Sequence, residues 1–281
     1  MIENRPYLTY LSHAILIIGV LIIAFPIYVA LVTSSHEDVD VMSTVQPWFG
    51  DSFIDNYVTV LVSGKVSAGG IPLGSMMLNS LIMAVGIVVG KISISIISAF
   101  AIVYFRFPGR MFCFWIIFMT LMLPVEVRIL PTYKVVVDLG LLNSYTGLTL
   151  PLIASATATF LFRQFFLTVP DELAEAARVD GAGPIRFFLT ILLPLSRTNI
   201  AALSVILFIY GWNQYLWPLL ITTEPDMTTV VMGIQRMLYV ADSIPEWNLT
   251  MAAAILAMLP PAVVVMVMQR QFVKGLVETE K

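Results

Sequence analysis

Residues 14–32 carry no charged side chain, and a helix needs about 20 apolar residues to cross the hydrocarbon core of a bilayer. No other kind of segment limits the fold as much. Lipid offers the backbone no hydrogen-bond partner, which leaves helices and closed barrels as the spanning structures. Further apolar segments follow at 76–104, 111–132, 145–162, 199–222 and 250–268. Together they predict an all-α, polytopic membrane protein with six transmembrane helices in one domain covering 1–281. Composition agrees: 12% of residues are charged and 59% hydrophobic, whereas a soluble domain is about one quarter charged. A cleavable signal peptide is the competing reading of 14–32. Its apolar core would be about 7–15 residues, followed by a small-residue cleavage site. The run here is longer and lacks such a site, so it reads as a retained helix.

Basic residues orient the spans. Six crossings put both termini on one side. Inner segments then hold Arg5, Arg106, Arg110, Arg163, Arg178, Arg186, Arg197, Arg270, Lys274 and Lys281, against Lys65, Arg128, Lys134 and Arg236 outside. This bias predicts cytoplasmic termini, with the acids gathered mostly in two outer loops. The lone Cys113 excludes an intrachain disulfide, and its apolar surroundings predict a buried thiol. Pro260 and Pro261 predict a kink in the last helix.

One segment, 171–194, is polar between two greasy ones and carries four acids and two bases. Residues 172–178 are strong helix formers, with Asp171 and Glu172 at the favoured end of the helix dipole. Gly181 stops that helix and Pro184 opens a second one. Helical spacing groups Leu173, Ala176 and Ala177 into a small apolar face, and Phe187, Phe188 and Ile191 into a bulkier one.

Polar residues inside the spans are the other candidates for function. Lys91 follows Gly86-Ile-Val-Val-Gly90, a spacing that lets helices approach closely, and Ser93, Ser95 and Ser98 extend a small polar face. It is no phosphate loop, because Ile92 follows the lysine and the upstream glycine is misplaced. In the stretch Pro124-Val-Glu126-Val-Arg128-Ile-Leu-Pro131, Pro124 removes a helix hydrogen bond. Glu126 and Arg128 are too close in sequence to share a helix face. Gly211-Trp-Asn-Gln-Tyr-Leu-Trp-Pro218 mixes aromatics with amides. Trp212, Asn213, Gln214 and Tyr215 suit either an interfacial belt or the path of a polar ligand. For Lys91, Glu126 and Arg128 the alternatives are pairing between helices and lining a path. His13 and His36 are isolated, and no paired-cysteine metal pattern or nucleophile elbow occurs. The chain is therefore expected to be neither an enzyme nor a metal or nucleic-acid binder.

Glu175-Ala176-Ala177, then Asp180-Gly181-Ala182, then Ile191 and Leu193-Pro194 resemble the "EAA" signature of bacterial ABC importer permeases, fitting it without a gap. The likeness extends over nearly the whole chain. It is to the maltose-type, carbohydrate-importing group and, within that, to second permease subunits of glycerol 3-phosphate importers. It is carried by Met1-Ile-Glu-Asn-Arg-Pro6, Gly90-Lys91-Ile92, 121–128, 211–218 and 269–276. The resemblance implies the type I (MetI-like) permease architecture in the bacterial inner membrane. It implies a heterodimer with a related permease, two copies of an ABC ATPase subunit and a periplasmic substrate-binding protein. ATP and magnesium would be bound by the ATPase and no cofactor by this chain. Residues 171–194 would be the cytoplasmic element that docks into the ATPase and drives alternating access, with Ala176 and Ala177 giving a small surface and Gly181 a backbone turn. The implied cargo is glycerol 3-phosphate, with glycerophosphodiesters as relatives of it. A neutral sugar is the alternative, and a self-powered secondary transporter the more distant one.

Overall fold

The computed structural model describes residues 6–44, 46–64, 70–120, 125–239 and 244–277, and among them the chain is helical with no strand. The expected all-α class holds. Two compact units emerge: Met1–Ser75 with Gly233–Leu259, and Met76–Met232 with Pro260–Lys281.

The first unit opens with α1 (Pro6–Thr33), continuous through Pro26. Short helices α2 (Asp38–Ser43) and α3 (Phe53–Val58) follow, the latter running into a π turn over Thr59–Ser63. A buried polar knot closes the end of α1. Asn56 donates its amide to the carbonyls of Ser34 and His36 at 3.0 and 2.8 Å and accepts from Asn248 at 3.3 Å. His36 uses Nδ1 on the Val32 carbonyl at 2.9 Å, so it is a structural residue.

The next helices are α4 (Leu73–Tyr104), α5 (Arg110–Met119), α6 (Val125–Asp138) and α7 (Tyr145–Thr149), the last extended by a 3-10 turn over Leu150–Leu152. Then come α8 (Ala156–Thr168), α9 (Asp171–Val179), α10 (Pro184–Phe187), α11 (Leu193–Leu195), α12 (Arg197–Trp212), α13 (Leu216–Ile221) and α14 (Val230–Leu238). The last helix, α15 (Trp247–Val277), is a single element with Pro260 and Pro261 inside it.

Among the described residues three helices are long and apolar enough to cross a membrane, Thr9–Thr33, Leu73–Tyr104 and Trp247–Gln269. They cover the first, second and sixth expected spans. Of the third, 111–132, α5 and α6 are described and residues 121–124 are not. The fourth and fifth are in pieces. The fourth bends by 49° between Leu152 and Ala156, and α12 meets the helical stretch Pro184–Leu195 at 70°. The expected fifth span, 199–222, stops at Trp212 and resumes as α13.

A proline lies beside each of the breaks at 153–155 and 213–215. A proline leaves the carbonyl four residues back without a donor and clashes with it. Pro151 does this to Gly147, whose carbonyl instead accepts from the Trp217 indole Nε1 at 3.2 Å. Pro218 would do the same to Gln214 in a continuous helix. In the structure it lies in the first turn of α13, where the missing N–H is an orphan anyway. The glycines of α4 are notches, as their spacing predicted. A Cβ on Gly86 would lie 2.8 Å from the Thr149 side chain, and one on Gly90 would overlap Ile153. Asn79, also on α4 and buried, accepts from Tyr145 Oη at 2.6 Å and donates to the carbonyls of Asp226 and Thr228 at 2.7 and 3.0 Å. Cys113 corrects an expectation: it is exposed on α5, because the buried position there is the neighbouring Phe114.

Candidate functional site

The 171–194 segment folds as its residues dictate. Asp171 and Glu172 occupy the first turn of α9 and Arg178 the last, each at the end its charge favours. The helix stops in a Schellman turn. Ala182 N–H reaches the Ala177 carbonyl at 2.8 Å and Gly181 N–H the Arg178 carbonyl at 3.0 Å. This closure puts Gly181 at φ +72°, where any side chain is strained. Pro184 then starts α10. A π turn over Phe188–Leu192 follows, directly before Leu193 and Pro194. Its wider winding suits the approach to a proline that cannot donate to Thr190.

The knob is anchored in the second unit. Ala177, Phe187 and Leu192 join Ile96, Ala99 and Phe100 of α4, Phe162 and Phe166 of α8, and Leu203 and Leu207 of α12 in one buried cluster. Phe188 and Ile191 pack against its edge, so the bulky face forms as read. The small face does not. Ala177 is 4% exposed and turned into the chain's own core, alongside partly buried Ala174. Ala176 looks outward with Glu172, Glu175 and Val179, and Asp180 is exposed beyond it. Val179 is 88% exposed, and Ile185 and Leu189 are exposed as well. The outward face of α9 was missed in the sequence. Its signal was available: positions 172, 175, 176 and 179 form one helical face once Ala174 and Ala177 are assigned inward.

The interior candidates separate into two groups. Lys91 is 8% exposed, and its Nζ lies 3.9 Å from the centroid of the Tyr210 ring. Arg128 is on α6 and exposed. Gln214 donates Nε2 to the Tyr210 carbonyl at 3.0 Å. Lys91, Tyr210 and Gln214 thus share one neighbourhood. Trp212, by contrast, is buried and stacked on Phe208 with centroids 5.9 Å apart. Asn213 and Tyr215 are exposed at the break between α12 and α13. The side chain of Glu126 lies outside the described residues. Tyr210 was not among the sequence candidates, because nothing in a tyrosine on an apolar helix marks it as the partner of a distant lysine.

The pattern of the family described as "Binding-protein-dependent transport system inner membrane component" matches residues 91–278. The "sn-glycerol-3-phosphate transport system permease protein UgpE" of Agrobacterium fabrum is 59% identical over 282 residues, covering 100% of both chains. Its counterpart of the same description in Salmonella typhi is 58% identical with the same coverage. Among solved structures, a bacterial ABC transporter involved in the import of the acidic polysaccharide alginate shares the fold, with a TM-score of 0.82 at 21% identity over 97% of this chain and 99% of that one. The protein belongs to the binding-protein-dependent transport system inner membrane components, the permeases of ABC importers.

Proposed function

We propose that this chain is one of two related permease subunits of an importer that carries sn-glycerol 3-phosphate into the cytoplasm. The observation that carries this reading is the 59% end-to-end identity to permeases described as transporting that compound. The whole chain acts as one permease domain, with both termini cytoplasmic as the basic residues indicate. A periplasmic binding protein delivers cargo. Two copies of a partner ATPase hold ATP and magnesium, and this chain works by moving, without catalysing a reaction.

The geometry of 171–194 supports a coupling role. The outward patch of Glu175, Ala176, Val179 and Ile185 takes the ATPase, while Ala177, Phe187 and Leu192 tie the same segment to α4, α8 and α12. A displacement at the patch therefore moves packed helices rather than a loose loop. Lys91 and Arg128 supply positive charge for a phosphate monoester, which carries between one and two negative charges near neutral pH.

The test is uptake by the reconstituted complex, with its partner permease, ATPase and binding protein, given labelled glycerol 3-phosphate and neutral sugars in parallel. ATP-dependent accumulation of the phosphate ester is expected. Accumulation of a neutral sugar in its place refutes the cargo, and accumulation without the ATPase refutes the coupling.

A further inference from the structure

Lys91 is a charge buried in a span, a costly arrangement that generally marks a functional group. Among the described residues no carboxylate is within ion-pair reach of it, and its ammonium rests on the face of Tyr210. A ring face attracts a cation through its quadrupole but does not neutralise it. A carboxylate would, and would then compete with any anionic ligand. Among the described residues, then, the lysine is held by a ring that leaves its charge available. Tyr210 sits near the end of α12, and the Gln214 side chain braces its carbonyl just where that helix stops.

We propose that Tyr210 is a positioning residue for transport: it holds the Lys91 ammonium by its ring face and yields it to the phosphate of the cargo. The proposal rests on the reading of the cargo as a phosphate monoester. A neutral polyol gains nothing from the exchange, so the Lys91–Tyr210 pair selects for charge. Glu126, one helical turn or less from Arg128 in sequence, is the rival holder.

The experiment uses the complete complex in proteoliposomes. Wild-type uptake of glycerol 3-phosphate comes first, and its absence refutes the cargo assignment without touching this proposal's geometry. Given uptake, Tyr210→Phe keeps the ring and leaves transport near wild type. Tyr210→Leu removes the ring and lowers uptake by roughly 5–30-fold, the range of a desolvated cation–ring contact, while basal ATP hydrolysis by the assembled complex is unchanged. Lys91→Met abolishes the difference, so the double variant Lys91→Met/Tyr210→Leu behaves as Lys91→Met alone. Replacing Tyr210 with phenylalanines of increasing fluorination weakens the ring's attraction at nearly constant shape. Uptake then falls stepwise with fluorine number, which keeps the test valid even if Tyr210→Leu does not assemble. Flat uptake across the fluorinated series overturns the proposal. So does additive loss in the double variant, or loss with Glu126→Gln and none with Tyr210→Leu.

Discussion

Helices α1 and α4 are both long, apolar and uncharged over most of their length, and hydropathy ranks α1 the more apolar. Their surroundings are opposite. Only 6% of the most apolar window of α1 is buried inside the chain, against 39% for α4. Gly19 of α1 has nothing within 4 Å of where a Cβ would lie, whereas Gly90 of α4 is filled by Ile153. Helix α4 also buries Asn79, Ser80, Lys91 and Ser95. Apolarity identifies a helix that can enter lipid. Notches and polar groups identify which side of it meets protein, because lipid tails pack as well against leucine as leucine does and close backbone approach needs small residues. Helix α9 repeats the contrast on a smaller scale, with Ala177 buried and Val179 open only two residues away.

The contrast between a buried and an open position is steepest at α9. Ala177→Asp places a carboxylate without a counter-charge in the cluster of Phe187 and Leu192. A cost on the order of 3–5 kcal/mol is expected, seen as loss of the subunit from membranes. Val179→Asp, the same side chain on the open face, should leave its level intact and reduce substrate-stimulated ATP hydrolysis. Equal loss of protein from both variants would contradict the two-faced description. Gly90→Val comes next. Overpacking against Ile153 should lower stability by about 1–3 kcal/mol, read as a reduced melting temperature in detergent. Gly181→Ala is smaller, roughly 1–2 kcal/mol for a left-handed alanine. It has open space around it, so the loss should appear in coupling of uptake to ATP hydrolysis before it appears in subunit level. Gly19→Leu should be the mildest, within about 0.5 kcal/mol. A clear fall in thermal stability there would mean that α1 is covered by a partner.

The sequence made the long helices and the turn at Gly181 and Pro184 legible, because both rest on local chemistry: run length, a left-handed residue and a proline at a first turn. The interruptions at 153–155 and 213–215 were hidden inside apolar runs, although Pro151 and Pro218 were visible and each disables a carbonyl four residues back. That Gly147 would find the Trp217 indole is a pairing across 70 residues, which no local pattern carries. The same holds for the direction of Ala177, whose identity suits a docking surface and a tight core equally. The pairing of Lys91 with Tyr210 depends on how α4 meets α12, and single-residue chemistry is silent about that.

The amide of Asn79 carries a consequence for how the protein is made. Its acceptors on Asp226 and Thr228 lie 147 and 149 residues further along the chain. At synthesis rates of 5–20 residues per second, roughly 7–30 s separate their emergence from the ribosome. For that interval α4 holds a polar group whose final partners do not yet exist, and hydrocarbon supplies no substitutes. Release of the second helix into lipid before α13 and the loop after it are complete would leave that amide without these acceptors.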